Sequence, residues 1–331
     1  VMGAPIAMSP RSLIFTLIAV ALTACSPNKG FQSERFSSEP AIEMLQALSA
    51  DELRGRKVGT EENARARAMI IDRFKGLGVS PAGNSFEHPF IYGTFADPET
   101  GTDAAPAKNG VNIIGRIAGT SESGLSMIIT AHYDHVGVID GEIYNGADDN
   151  ASGVVGLLAA AEYFSNNAPE HDVIFLAFDA EEDRLGGAIA FVADPHAPLD
   201  NVALNVNFDM LSRGDNGTLW ASGTHHWPGM KPIMIDIAAR APVDIKMGFD
   251  EGDGREDWTL LSDHAAFFRA GIPHLYFGVE DHPDYHKPTD DFERIDQDWF
   301  LRSVESVVMV AAEMDARLDE IYAMRVAAAA G

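Results

Sequence analysis

Five segments of the chain carry the continuous apolar runs that are typical of buried β-strands. The runs do not alternate strictly with polar residues, so we expect both faces of each strand to be covered. In chain order the segments are VNIIGRIAG, LSMIITAHYD, HDVIFLAFDAEE, NVALNVNFDM and IPHLYFGVED. A segment with helical character, GVVGLLAAAEYF, follows the second run. The pattern predicts an α/β protein of three layers, α/β/α, around a central mixed and mostly parallel sheet.

One domain accounts for all of these segments. Residues 61–78, EENARARAMIIDRFKGLG, predict an early helix, and FLRSVESVVMVAAEMDARLDEIYAM predicts a long helix near the C-terminus. Residues 81–109 are rich in turn-forming residues, which indicates a surface loop. We therefore predict a single domain over residues 41–325 and a disordered tail over residues 326–331.

The N-terminal segment has the features of an export signal. Arg11 precedes the apolar run LIFTLIAVALTA, which is too short to span a membrane and has the length of a signal-peptide core. The run ends at Cys25, the only cysteine, and LTAC resembles a bacterial lipobox, in which the cysteine is lipidated. We predict a signal peptide over residues 1–25, lipidation of Cys25 and a flexible tether over residues 26–40. Ser26 favours export to the outer membrane, facing the periplasm; a plain secretory signal is the alternative.

The charge balance restricts the partners of the protein. The chain has 50 acidic and 24 basic residues and a formal net charge of -26. Such a surface repels phosphate backbones, so we expect no nucleic-acid partner. We expect contact with a membrane only through the N-terminal lipid. The sequence does not indicate the oligomeric state.

Acidic residues and histidines follow four of the predicted strands. They stand in AHYDH, FDAEED and NFDM and, beyond a loop, in EDHPDYH. Ligands of open α/β sheets bind at the carboxyl ends of the strands, so these residues predict one site assembled from several strands. The loop NGADDNASG adds two adjacent aspartates before a predicted helix. One of them would serve as an ordinary helix cap, but a cap does not account for both.

Carboxylates and imidazoles in such numbers favour a pair of divalent metal ions. Two-metal hydrolytic sites hold their ions about 3.5–4 Å apart, and one carboxylate can bridge them. Cysteine is absent from the predicted domain, which excludes a thiolate zinc site there. The donor types suit zinc and do not exclude cobalt or manganese. The candidate donors are His132, Asp134, His135, Asp148, Asp149, Glu181, Glu182, Asp183, Asp209, Asp263, His264, Asp281, His282, Asp284 and His286.

The order of these motifs resembles that of the family-28 metallopeptidases, the zinc aminopeptidases of the leucyl aminopeptidase and glutamate carboxypeptidase group. The matching motifs are AHYDHVG, NGADDNASG, FDAEED, NFDM, SDHAAF and YHKPTD, and the resemblance covers roughly residues 42–308. It implies the three-layer fold of zinc peptidases, two zinc ions per chain and a peptide substrate. It also implies hydrolysis through a metal-activated water, most consistent with an aminopeptidase.

The resemblance assigns five metal ligands in this sequence. His132 and Asp209 would bind one metal, and Glu182 and His286 would bind the other. Asp148 would bridge both ions.

The same resemblance assigns the supporting acids. Glu181 would be the general base, and Asp134 would support catalysis by orienting His132. Asp149 would support the metal ligands without binding a metal itself. The resemblance also implies a cis peptide bond between the two loop aspartates. By contrast, we expect His135 to be a solvent-facing or hydrogen-bonded loop residue, since the ligand set is already complete.

Relatives of this family leave other functions open. Glutaminyl-peptide cyclotransferases keep much of the same residue set with one zinc, and carboxypeptidases and dipeptidases also share the fold. A binding protein without catalysis is disfavoured, because all five inferred ligands and the base are present.

Overall fold

The computed structural model describes residues 1, 3, 30–93, 107–195, 198–251 and 256–330. Nearly all of the predicted signal peptide, including Cys25, lies outside the described residues. The chain divides into two units, Val1–Gly30 and Phe31–Gly331, and every element named below belongs to the second.

Two of the helices, α2 and α7, begin at a side chain that satisfies free backbone N–H groups. Thr60 accepts from the N–H of Asn63, and Asp296 accepts from the N–H groups of Asp298 and Trp299. Among the described residues the α-helices are α1 Ser38–Leu48, α2 Glu61–Gly76, α3 Gly153–Asn166, α4 Gly186–Ala193, α5 Lys231–Ala238, α6 His264–Arg269, α7 Gln297–Asp315 and α8 Leu318–Ala330.

The strands form one large mixed sheet and one small hairpin. In the described ranges they are β1 Ser80–Pro81, β2 Glu87–Tyr92, β3 Lys108–Ile117, β4 Ser126–His132, β5 Gly137–Ile139, β6 Glu142–Tyr144, β7 Asp172–Phe178, β8 Val202–Phe208, β9 Thr218–Ser222, β10 Asp244–Met247 and β11 His274–Gly278. The large sheet has the order β1-β3-β7-β4-β8-β11-β9-β10, with β2 also paired to β3, and β5 pairs with β6 separately.

The centre of the sheet is parallel. Strands β7, β4, β8 and β11 are neighbours in that order and run in one direction, with His132 opposite Phe178 and Thr130 opposite Asn207. The flanking pairs β3·β7 and β11·β9 are antiparallel. All four carboxyl ends therefore meet at one edge of the sheet, which positions the side chains that follow them.

Consecutive residues of the central strands enter two different apolar layers. Ile129 and Phe175 pack into a core with residues of α1, α2, α3, α5 and α7, whereas Ile128 and Ile174 pack into a second core with residues of α4 and α6. This alternation of side chains across a strand explains why uninterrupted apolar runs mark a sheet covered on both faces. The predicted three-layer α/β fold is confirmed.

Both ends of the predicted domain differ from the sequence-based boundaries. Residues 31–37 belong to the folded unit instead of a flexible tether, since Phe36 is buried and Ser33 and Arg35 both contact the carboxylate of Glu305 in α7. The predicted disordered tail is wrong for residues 326–330, which continue α8 because alanine has the highest helix propensity.

The long C-terminal helix predicted from the sequence is two helices, α7 and α8, with a break at residues 316–317. In the parts of the chain that the structure describes, no helix combines the length and the apolar character needed to cross a membrane.

Candidate metal centre

The edge where the central parallel strands end gathers five residues that the sequence singled out. His132 is the last residue of β4, Asp209 directly follows β8, and Glu181 and Glu182 lie in the loop after β7. His286 reaches the same place from the loop after β11. The site stands at the edge of the sheet where the strand-end residues predicted it.

His132 is the centre of one donor group. Its Nε2 atom lies 3.4 Å from Asp209 Oδ1, 3.3 Å from Asp149 Oδ1 and 4.0 Å from Glu181 Oε2. Its Nδ1 atom lies 3.2 Å from the carbonyl oxygen of Asp134, which can only accept a hydrogen bond. In the neutral ring Nδ1 therefore carries the proton, and Nε2 presents its lone pair to the carboxylates.

Asp149 faces two donor groups at once. Its Oδ1 atom points to His132, whereas its Oδ2 atom lies 2.9 Å from Nε2 of His286. The same His286 nitrogen lies 3.4 Å from Oε2 of Glu182. Burial would raise the pKa of Asp149, but its interactions with the two histidines hold the pKa well below its usual value. Asp149 is thus the carboxylate that spans both groups.

Three of the distances between donor atoms suit a shared metal ion, whereas the 2.9 Å contact between Asp149 and His286 has the length of a hydrogen bond. Two ligands of a tetrahedral zinc ion stand ~3.3 Å apart when the zinc–ligand bonds are about 2.0–2.1 Å. Three contacts in the site measure 3.3, 3.4 and 3.4 Å, beyond the ~2.7–3.2 Å of an N–H···O hydrogen bond. Asp209 Oδ1 and Glu182 Oε1 are buried without a hydrogen-bond partner, which is costly unless a cation satisfies them. The residues therefore fit divalent metal ions.

The structure corrects the roles predicted for the two loop aspartates. Asp148, predicted to bridge two metals, faces away from the histidines named above: its Oδ1 accepts from the N–H and the hydroxyl of Ser212, each at 2.7 Å. Its Oδ2 lies 3.1 Å from Nε2 of His282. Asp149, predicted as the supporting acid, takes the bridging position instead. The predicted bridging residue is therefore wrong by one position. Two adjacent aspartates are chemically identical, and only the backbone conformation of the loop decides which carboxylate faces the histidines.

The loop that presents Asp149 is held by two other side chains. Asp290 accepts hydrogen bonds from the N–H groups of Asp148 and Asp149 at 3.0 to 3.1 Å, and burial raises the pKa of Asp290 to about 6. Asn150 accepts from the N–H of Gly153 at 2.9 Å, at the start of α3. The cis peptide bond lies between Asp149 and Asn150, one residue later than predicted.

Asp134 connects the base candidate to the donor group. Its Oδ1 atom accepts a 3.0 Å hydrogen bond from the backbone N–H of Glu181 and lies 3.7 Å from Nδ1 of His132. The carboxylate of Glu181 is largely buried, and burial raises its pKa well above the usual value. Asp134 thus holds both the ring of His132, through its own carbonyl, and the backbone of Glu181.

His135 belongs to the centre, contrary to the prediction of an exposed or merely hydrogen-bonded loop residue. It is 1% exposed, and its Nδ1 atom lies 2.6 Å from Oε1 of Glu182 and 3.8 Å from Oδ2 of Asp149. Neither ring nitrogen has a hydrogen bond of acceptable geometry. His135, Asp149 and Glu182 together could hold a metal ion. The motif AHYDH contained this histidine, but only the turn after β4 brings it back to the site.

A buried arginine lies next to the acidic centre, and only the motif GRKVGT pointed to it in the sequence. Arg56 is 1% exposed and donates to the carbonyl oxygens of Leu48, Tyr133, Asn145 and Gly146. Burial lowers its pKa to about 10, which leaves the guanidinium charged at neutral pH. Its positive charge offsets part of the repulsion among the buried carboxylates.

The centre opens into a pocket with an acidic floor and an apolar wall. The wall includes Met210, Trp258, Leu261, Tyr276, Val279 and Tyr285. Two further acids, Glu256 and Asp281, line the same pocket. Among the described residues that line it, none is lysine or arginine. The pocket therefore suits a cationic group beside an apolar one.

Comparison with known proteins agrees with the motifs. Residues 112–311 match Peptidase family M28. The chain is 32% identical over 170 residues to a vacuolar membrane protease of Schizosaccharomyces pombe, covering 50% of this chain and 19% of that protein. It is 29% identical over 196 residues to aminopeptidase YwaD of Bacillus subtilis, covering 56% and 40%. The chain thus spans well under half the length of these relatives.

Solved structures share the fold. A zinc aminopeptidase of Bacillus subtilis superposes with a TM-score of 0.65 at 17% identity, covering 83% of this chain and 95% of that one. Glutaminyl cyclase of Porphyromonas gingivalis superposes with a TM-score of 0.64 at 19% identity, covering 83% and 97%. Since the family match covers more than half of the chain and includes all five clustered residues, the protein belongs to peptidase family M28.

Proposed function

We propose that the protein is a zinc-dependent metallopeptidase that removes amino-terminal residues from peptides. The observation that carries this proposal is the carboxylate of Asp149, whose two oxygens face separate histidines at 3.3 and 2.9 Å. A carboxylate in that position is suited to bridge two metal ions, as in hydrolytic two-metal sites. Similarity to a Bacillus aminopeptidase supports the same class of reaction.

Two zinc ions would be held by two sets of protein ligands that share Asp149. His132 and Asp209 would complete the first set, and Glu182 and His286 would complete the second. Cobalt or manganese could occupy the same donors. Bound there, zinc supplies Lewis acidity that makes water a better nucleophile and polarises the scissile carbonyl.

Glu181 would move the proton. Its carboxylate lies beside the first ligand set, with Oε2 4.0 Å from Nε2 of His132, and Asp134 fixes its backbone. It would accept a proton from the attacking water and deliver that proton to the leaving amine. Asp134 acts through Glu181 and His132, so its role is to position them.

The charge of the pocket supports an aminopeptidase over a carboxypeptidase. A carboxypeptidase must bind the negative carboxylate at the end of its substrate, which calls for a cation. The described lining instead contains Glu256 and Asp281 and no lysine or arginine. These acids suit a protonated α-amine, and the apolar wall, with Leu261 56% exposed, suits an apolar first side chain. The substrate class is therefore peptides with an apolar amino-terminal residue.

Glutaminyl-peptide cyclisation is the second candidate, because a glutaminyl cyclase shares the fold. That reaction releases ammonia, and the family resemblance implies a single zinc ion for it. The second donor set, His286 with Glu182 and Asp149, favours two metals and hence hydrolysis.

The export signal adds a proposal about location. From the motif LTAC we propose that Cys25 carries a lipid and that the enzyme faces the periplasm from the outer membrane.

The first test measures the metal content of the signal-free protein together with hydrolysis of an aminoacyl-nitroanilide panel. We expect two zinc ions bound at this centre, nitroaniline release that a chelator abolishes, and preference for leucyl over lysyl or glutamyl substrates. One zinc with ammonia released from a glutaminyl peptide would favour the cyclase. A protein that binds no metal at this centre would contradict both candidates.

A further inference from the structure

A second histidine–carboxylate cluster lies apart from the metal centre, at the junction of α7 and α8. It contains Glu170 and His171, which immediately precede β7, and Asp319 in the first turn of α8. One potential ligand atom from each of these residues lies within 4.8 Å of the other two. Nothing in the peptidase site requires this arrangement.

His171 is held by Asp315, the last residue of α7. Nδ1 of the imidazole lies 3.0 Å from the carbonyl oxygen of Asp315 and 3.2 Å from its Oδ1. The same carboxylate accepts hydrogen bonds from the backbone N–H groups of Glu170 at 2.8 Å and His171 at 2.9 Å. Because both partners of Nδ1 are acceptors, Nδ1 carries the proton in the neutral ring. This is the arrangement in which a carboxylate orients a histidine that binds metal through its other nitrogen.

The other nitrogen, Nε2, is buried and has no hydrogen-bond partner. The residue is only 2% exposed, so water reaches its ring poorly. Nε2 faces Oδ2 of Asp319 at 3.6 Å, which is too long for a hydrogen bond. The distance of 3.6 Å is close to the ~3.3 Å that separates two ligand atoms of one tetrahedral zinc ion. A bare lone pair that faces a carboxylate is unfavourable without a cation between them.

Helix geometry alone does not explain the cluster. An aspartate in the first turn of a helix is favoured by the helix dipole, which accounts for Asp319 taken singly. It does not account for Nε2 of His171 directed at that aspartate, or for Glu170 converging on the same point from another element. An ion pair between a protonated His171 and Asp319 favours hydrogen-bond distance, which the 3.6 Å contact exceeds.

We propose that Glu170, His171 and Asp319 form a third zinc site, separate from the peptidase centre. The imidazole and two carboxylates supply three ligands of a kind that zinc accepts, and the exposed positions of Glu170 and Asp319 leave the fourth to water. A metal here would join the segment that enters β7 to the start of α8. Its role is to fasten the C-terminal helix to the domain, since binding to the folded state alone favours that state.

The test compares the zinc content of the complete protein with that of Asp319→Asn after equilibrium dialysis against buffered zinc. Asp319 is exposed, so the substitution leaves the core intact. We expect the variant to bind one zinc fewer than the wild type at saturation. We also expect zinc to raise the Tm of the wild type more than that of the variant, while peptidase activity stays equal. The difference in bound zinc between the wild type and Asp319→Asn reports on this site alone, because the peptidase centre is the same in both proteins.

Glu320→Gln is the matched control, because it removes a neighbouring exposed acid of the same helix turn. We expect it to keep the full zinc content, and Glu170→Gln to behave like Asp319→Asn. Equal zinc content and equal Tm shifts in the wild type and Asp319→Asn would overturn the site and leave an ion pair. Loss of the same zinc ion in Glu320→Gln would also overturn it, in favour of diffuse surface charge.

Discussion

Glu181 and Glu182 are adjacent in sequence, yet their carboxylates face different partners. Oε2 of Glu181 approaches His132, whereas the oxygens of Glu182 approach two other histidines, His135 and His286. Substituting one of them should therefore affect proton transfer, and substituting the other should affect metal binding.

Glu181→Gln should keep the metal content and lower kcat by about 10²–10⁴-fold, the usual contribution of a general base. Metal analysis and steady-state kinetics on a leucyl substrate measure the two effects separately. Glu182→Gln is the comparison and should lose metal as well as activity. Near-normal turnover by metal-loaded Glu181→Gln would show that another group accepts the proton.

Residue identity and strand-end position predicted where the centre lies and gave a broad set of candidate donors. The resemblance to family-28 metallopeptidases then selected His132, Glu182, Asp209 and His286, and the structure brings these four together. The choice between Asp148 and Asp149 failed because the direction of each side chain depends on the backbone of the loop. The placement of His135 failed for a related reason, since the turn after β4 decides which way it faces.

At the scale of elements, the loop from Ala147 to Ser152 depends on a carboxylate from the distant YHKPTD motif. Asp290 is fully buried and accepts from the N–H groups of Asp148 and Asp149. No other hydrogen bond to these two N–H groups replaces it among the described contacts. The bridging aspartate is therefore presented by a backbone that an acid from beyond β11 holds in place.

Asp290→Ala should destabilise the protein and weaken metal binding together. The substitution leaves two buried N–H groups unpaired, and each unsatisfied group lowers the free energy of unfolding by about 1–3 kcal/mol. Urea unfolding of the metal-free protein measures the first effect, and zinc titration measures the second. Glu293→Gln, an exposed acid three residues later, should change neither quantity. An Asp290→Ala protein with wild-type stability and zinc affinity would refute the holding role of this side chain.

The central elements were predictable because long buried runs leave a clear apolar signal. The edge elements were not. In β2 exposed positions alternate with positions that are mostly half-buried, and the strand contains a proline. Strands β9 and β10 have only 5 and 4 residues. Such strands form because a neighbouring strand offers hydrogen bonds. That neighbour is distant along the chain, so the residues of the edge strand themselves do not predict the pairing. The break between α7 and α8 escaped detection because apolar spacing continues across it.

At the scale of the whole molecule, the short distance along the chain between Cys25 and the folded domain limits how far a lipid anchor could hold the enzyme from a membrane. Residues 31–37 already contact the domain, through Phe31 with Asp298 and Ser33 with Glu305. Five residues lie between Cys25 and Phe31, and the six chain steps from one to the other reach only about 20 Å when fully extended.

The anchor predicts a specific change in location. Cys25→Ala in the exported full-length chain should move the protein from the membrane fraction to the soluble fraction and leave kcat/KM on a small nitroanilide unchanged, because the catalytic residues lie in the separate folded unit. Fractionation followed by activity assay in each fraction measures both. Ser26→Ala, which retains the cysteine, is the control and should stay with the membrane. If Cys25→Ala also sediments with membranes and detergent is needed to release it, another attachment holds the protein, and the lipid proposal fails while the peptidase proposal stands.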